Sequence, residues 1–454
     1  MVHHDSNFLK GNNAQHMWHP MAHPADMRAN PPKMLVKGEG VKLIDIDGTE
    51  TLDAVGGLWN VNLGFSVDSI KTAISEQLDA LPYYSIFRGT TTDVAVEASY
   101  ELAKWFEADG MERVFFTSGG SDAVETALRL ARQYHKINGE PERTKFLSLK
   151  KGYHGVHFGG ASVNGNANFR RNYEPLLPGC FHLPTPHTYR NMFNETDPEK
   201  LADLCVAAAA EEIAFQGADT IAAFIMEPVQ GAGGVIVPPA SYMPKMRALC
   251  DKHGILMIAD EVVTAFGRTG AWTGSRLWGV KPDMMCIAKA VTNGYFPTGA
   301  LLMNGKVTEA FESNADARGS IGHGYTYSGH PAGSAAVIAT LEEYARNDVA
   351  VNSKARGEEL AIGLQNLYAR HELIGNVRGI GLMWAIELVA DRETKAPADK
   401  KKVGAIFEGA YAAGAMIRVS GNNIILSPSL IYTRENVETL LNALDAGLTA
   451  ASKV

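Results

Sequence analysis

Five short, largely apolar runs spaced through the middle of the chain restrict the folds open to it: Arg113–Thr117, Lys145–Leu149, Ile221–Met226, Ile255–Ala259 and Met284–Ala288. Strands with apolar side chains on both faces must be covered on both faces, and helices crossing between parallel neighbours are the usual cover. The segments between the runs supply such helices. Val124, Ala127, Leu128, Ala131 and Tyr134 recur at three- and four-residue spacing after Ser121 and Asp122, where an acidic first turn suits the positive end of a helix. This alternation points to an α/β fold on a mostly parallel sheet.

The flanks read differently. Residues 1–70 carry Pro20, Pro24, Pro31 and Pro32, then a hairpin-like stretch from Glu39 that ends in the turn pair Asp47-Gly48. Residues 71–330 form the alternating core, and residues 331–454 turn helical again, with a Lys-rich stretch from Asp391 to Lys402 expected as a solvated loop. Residues 164–200, rich in Asn, Pro and aromatics, are expected as one long surface excursion of the kind that often carries function.

Charge and cysteine usage exclude several classes of function. The net charge of −8 argues against nonspecific binding to nucleic acid or to an anionic membrane. Cys180, Cys205, Cys250 and Cys286 are far apart and form no C-x-x-C pair, so neither a disulfide framework nor a metal site is expected, and a cytoplasmic setting fits best. The N-terminal residues show no apolar leader core, and no run approaches the ~18 residues of a membrane span.

In open parallel sheets ligands bind at the carboxyl ends of the strands, and here those ends carry Thr117, Glu227, Asp260 and Lys289. A carboxylate and an amine delivered side by side are what pyridoxal phosphate requires: the lysine for a Schiff base, the aspartate for the pyridinium nitrogen. Between the first strand and its helix, Thr117–Ser121 (TSGGS) lets backbone N–H groups approach an anion at a helix N-terminus. Tyr153, after the next strand, offers a ring to lie on a flat cofactor.

At these residues the chain resembles the class III, or omega, aminotransferases of the fold-type I pyridoxal phosphate enzymes. The resemblance runs from about residue 35 to near the C-terminus. Its most specific stretch is Ile258–Val262, Gly267–Gly270, Pro282-Asp283 and Lys289 with Gly294 and Pro297 behind it. Leu52-Asp53, Gly57–Asn60, Tyr153–Gly155, Glu227–Gly234 and His323–Pro331 follow the family pattern in the same order.

The resemblance implies a large domain with a helix-covered sheet and a smaller domain built from both termini. It makes Lys289 the Schiff-base lysine and catalytic base, and Asp260 the partner of the ring nitrogen. Tyr153 and Val262 would sandwich the ring, Gly120 and Ser121 would bind the phosphate, and Glu227 would support the site from behind. Thr326 would reach the phosphate of a neighbouring subunit, which implies a homodimer with shared active sites, or a tetramer of such dimers. The family often has Ser-Gly-Ser in the cradle. This chain has Gly119-Gly120-Ser121, one hydroxyl fewer.

On the substrate side, Arg418 aligns with the arginine that clamps a keto acid's carboxylate in the pyruvate-using branch, a bidentate task suited to a guanidinium. Trp59, Phe87, Tyr153 and Tyr325 are candidate pocket walls, with Phe87 and Tyr325 equally fit for dimer packing. The implied reaction moves an amino group from a primary amine or omega-amino acid, such as beta-alanine, taurine or a diamine, to a keto acid, with pyruvate expected. An aminomutase or decarboxylase on the same scaffold, or a non-catalytic cofactor-binding protein, would share most of these residues.

Overall fold

Seven strands form one sheet in the computed structural model, which describes residues 4–314 and 317–454. They are β1 (Met111–Thr117), β2 (Lys145–Leu149), β3 (Cys180–Leu183), β4 (Ile221–Met226), β5 (Leu256–Asp260), β6 (Met284–Ile287) and β7 (Gly299–Asn304). Their order is β1-β7-β6-β5-β4-β2-β3, with β7 antiparallel to both neighbours and the remaining pairs parallel. The first three residues, where the absence of a leader was read, lie outside the described residues. No described helix is long and apolar enough to cross a membrane.

The apolar runs become the central strands because both faces are covered. Every residue of β4, β5 and β6 is buried. Each fully buried Ile, Leu, Met or Phe contributes roughly 1.5–3 kcal/mol relative to exposure. The helix Gly120–Ile137 buries Val124, Ala127, Leu128 and Ala131 toward the sheet, the stripe its spacing predicts.

Two strands were not among the expected runs. β7 follows the turn-rich segment after Lys289 directly, because an antiparallel neighbour needs no crossover helix to announce it. β3 interrupts the expected 164–200 excursion; it is only four residues long and sits at the sheet edge, so its pattern is weak. A third correction concerns Asp391–Lys402. Its end is the start of the helix Lys400–Ala412, where the Asp399 carboxylate accepts from Lys401 N–H and Val403, Ile406 and Ala410 turn inward.

The chain ends meet in a second sheet. Leu35–Glu39, Lys42–Asp45 and Glu50–Asp53 form an antiparallel meander, and Ala415–Met416 joins it parallel to Glu50–Asp53, pairing Met416 with Asp53. A third, antiparallel sheet comprises Ile374–Ile380, Met383–Leu388, Asn423–Leu426 and Arg418–Ser420. The strand containing Arg418 therefore begins two residues after the one paired with Asp53.

Candidate active site

A cavity of about 480 Å³ opens at the carboxyl ends of β1, β4, β5 and β6. Trp59, Gly120, Ser121, Tyr153, Glu227, Asp260, Val262, Lys289 and Arg418 all line it. Residues more than 350 positions apart in sequence thus share one chamber, of the size expected for a cofactor with a small substrate.

Asp260 is the last residue of β5 and is 5 % exposed. Its Oδ1 accepts from Val262 N–H at 3.2 Å, and its Oδ2 lies 2.8 Å from Nδ1 of His154, which is itself 1 % exposed. A carboxylate taken out of water needs such partners.

Lys289 starts the short 3-10 turn Lys289–Thr292 after β6, with φ +53°. A residue with a Cβ holds this left-handed conformation only where its surroundings impose it. The turn is locked on three sides: Tyr344 OH donates to Ala290 O at 2.9 Å, Asn293 Nδ2 donates to Gly64 O at 2.9 Å, and Leu63 N–H donates to Asn293 Oδ1 at 2.8 Å. Burial holds the lysine amine below its ordinary value; the Asp260 and Glu227 carboxylates oppose this shift, and the Arg418 guanidinium adds to it.

Glu227 follows β4 and turns its carboxylate inward, accepting from Tyr153 N–H at 2.9 Å and Gly231 N–H at 2.7 Å. Burial, joined by the Asp260 charge, raises its pKa to about 7 against those hydrogen bonds and the pull of His154. It thus holds the Tyr153 backbone and the Gly231 turn together.

The helix Gly120–Ile137 opens toward the cavity, and no side chain caps its first turn. Uncapped N–H groups at the positive end of an 18-residue helix form an anion site. Val262 packs tightly on this end: a Cβ on Gly120 would lie 3.0 Å from Val262 Cγ1. With an aspartate and a lysine in the same chamber, these features fit pyridoxal phosphate, the helix end taking the phosphate and Asp260 the ring nitrogen.

Arg418 is half-buried, and its guanidinium makes no hydrogen bond or ion pair with the protein among the described residues. Phe87 and Thr326 do not line the cavity in the single chain. Phe87 is 51 % exposed and packs near Gly324, while Thr326 O accepts from Tyr83 OH at 2.7 Å. Tyr325 is likewise outside the cavity: its hydroxyl donates to Asp122 O at 3.0 Å and props the start of the helix Gly120–Ile137.

Several residues that share this site had no individual signal in the sequence. His154 sat beside Tyr153, but only the fold brings it to Asp260. Phe169 reaches the cavity from the expected excursion and meets the Tyr153 ring edge-on at 5.0 Å between centroids. Met21, Asn60, Phe296 and Thr298 also line it.

The model of the family described as aminotransferase class-III matches residues 25–448. An amine transaminase from an uncultivated Pseudomonas species, solved in its PLP-bound form, is 48 % identical with a TM-score of 0.94, covering 96 % of this chain and 98 % of that one. The omega-aminotransferase of Caulobacter vibrioides is 38 % identical over 91 % of this chain and 92 % of its own length. The putrescine–pyruvate aminotransferase of Pseudomonas aeruginosa is 35 % identical over 90 % and 89 %.

Proposed function

Because this chain belongs to the class III aminotransferases, pyridoxal phosphate-dependent enzymes that move an amino group from an amine to a keto acid, we propose that the cavity takes pyruvate as acceptor and a primary amine as donor. The observation that carries this reading is Arg418: a guanidinium without a carboxylate partner among the described residues, facing the same chamber as Lys289. A keto acid's carboxylate supplies the missing partner, and an uncharged amine substituent leaves it free to turn away. The putrescine–pyruvate relative supports pyruvate as that acid.

Asp260 and Lys289 divide the work. When bound, pyridoxal phosphate supplies an electron sink for the charge left as a proton leaves the carbon bearing the substrate nitrogen. Lys289 Nζ takes that proton and later returns it, a role its lowered pKa suits because more of the amine is free at neutral pH. Asp260, held by His154 and Val262 N–H, presents its carboxylate where a ring nitrogen would need a partner. Gly120 and Ser121 would hold the phosphate through the helix end, Tyr153 and Val262 would bound the ring, and Glu227 keeps the Tyr153 backbone in place. Trp59 limits substrate size.

We place the cofactor-binding domain at residues 71–330 and the smaller domain in the two flanks. The working unit in this reading is a homodimer: Phe87, Tyr84 and Tyr327 are large exposed aromatics close to the segment carrying Thr326, and a second copy would cover them. The four cysteines are unpaired, in keeping with a reducing, cytoplasmic setting.

The test is spectroscopic. Adding primary amines to the yellow holoprotein without any keto acid should shift its absorbance to that of the aminated cofactor, and pyruvate should reverse the shift. No change across a broad amine panel would sink the proposal, and release of carbon dioxide would replace it with decarboxylation.

A further inference from the structure

The wall formed by Leu58 and Trp59 has unusual backbone geometry. Gly56 (φ +57°), Gly57 (φ +63°) and Trp59 (φ +65°) are all left-handed. Leu58 lies between them at φ −129°, ψ 62°. Trp59 has a large side chain and is nevertheless buried against the cavity, so something must hold it there.

Asp53 provides the hold. It ends the strand Glu50–Asp53 and is 2 % exposed. Its Oδ1 accepts from Val55 N–H at 2.9 Å and its Oδ2 from Gly57 N–H at 2.6 Å, so one carboxylate grips both sides of Gly56. The grip is itself anchored. Tyr432 OH donates to Asp53 O at 2.9 Å, and Ala54 N–H donates to Met416 O at 3.0 Å. Asn60 Oδ1 accepts from Leu58 N–H at 2.9 Å on the far side of the turn. A Cβ on Gly56 would lie 2.6 Å from Ser427 O, so the turn is seated directly on the backbone that follows the Arg418 hairpin.

We propose that Asp53 is a positioning residue that sets amine specificity, its buried carboxylate clamping the left-handed Gly56–Trp59 turn and so fixing the wall that Trp59 presents to the donor. The proposal rests on the reading of Trp59 as a limit on substrate size. Asp53 does not line the cavity; it acts through the turn. Replacing it by the isosteric amide leaves one acceptor oxygen for two backbone donors and sets an NH₂ against one of them.

The experiment compares holoenzyme kcat/KM for a bulky aryl-alkyl primary amine and for isopropylamine, both with pyruvate. Asp53→Asn should raise the bulky-to-small ratio by roughly fivefold or more, since a relaxed wall changes discrimination by size. Trp59→Ala should raise the ratio by itself, and adding Asp53→Asn to it should change the ratio by less than about twofold, because the two act through one wall. If Trp59→Ala shifts the ratio while Asp53→Asn merely weakens both amines equally, Asp53 is only structural and the proposal is overturned. If Trp59→Ala leaves the ratio unchanged, the size-limiting role of Trp59 falls first, and this proposal with it. Should Asp53→Asn fail to fold, Gly57→Ala decides: its Cβ meets Asn60 Oδ1 at 2.6 Å and loads the same turn, so an unchanged ratio there also overturns the clamp.

Discussion

His154 Nδ1 lies 2.8 Å from Oδ2 of Asp260, and both residues are buried where they line the cavity. The contact joins the loop after β2 to the end of β5. It orients the carboxylate and fixes which imidazole nitrogen carries hydrogen, leaving His154 Nε2 buried without a protein partner among the described residues. His154→Ala should therefore lower the rate of the amine half-reaction by roughly 10- to 100-fold. Single-turnover absorbance kinetics check this; a rate within twofold of the parent would mean Asp260 needs no such support.

Lys289 has the amine that the proposed proton transfer requires. Lys289→Ala should slow turnover by at least about 10³-fold, with partial recovery when a small exogenous amine such as methylamine is added. Rates titrated against added amine measure this. Full activity without rescue would assign the proton transfer to another group.

The pH dependence of stability carries the signature of Glu227. Its folded pKa of about 7 lies above the ordinary 4.5, so the native protein binds the extra proton. Stability from this group is present in full below about 4.5 and is lost as pH rises through about 7. The shift corresponds to roughly 3 kcal/mol. In the apo-protein, urea unfolding across that window should show the decline, and Glu227→Gln should flatten it. An identical slope in both proteins would contradict the assignment.

Arg418→Leu should raise KM for pyruvate by roughly 10- to 100-fold, the cost of losing a charged, bidentate contact. KM for an uncharged primary amine should change far less. Steady-state kinetics with each substrate varied separately give the comparison; equal changes in both would mean that Arg418 does not select carboxylates.

Gly119 is the residue at which the cradle departs from the family pattern. Its φ of 173° is extended backbone, and a Cβ built there meets nothing within 4 Å. Gly119→Ser should thus be accepted without strain and add a hydroxyl at the helix end, slowing cofactor loss by roughly 2- to 10-fold. The half-time of cofactor release on dialysis reads this out. Faster release would mean the hydroxyl crowds the site.

The sheet core and the three charges at its edge were legible in the sequence because each depends on a local pattern. A buried strand must be apolar along its own length, and the loop at its end begins with whatever polar residue comes next, so β4, β5 and β6 announced themselves together with Glu227, Asp260 and Lys289. β7 had no such signal, as a short antiparallel connection leaves nothing between strands to recognise. The family blocks named Trp59 and Arg418 but said nothing about how they are held.

That was decided only by tertiary structure. The pairing of Asp53 with Met416 brings together segments more than 360 residues apart and so positions the Trp59 turn relative to the Arg418 strand. The approach of His154 to Asp260 likewise depends on the order of β2, β4 and β5 in the sheet. Hydrogen bonds of this kind have no periodicity along the chain, because the burial that makes them necessary is created by elements distant in sequence. The sequence by itself determined which groups the chemistry has at hand; the packing of the two chain ends against the large sheet decided their distances, their partners and the shape of the space they share.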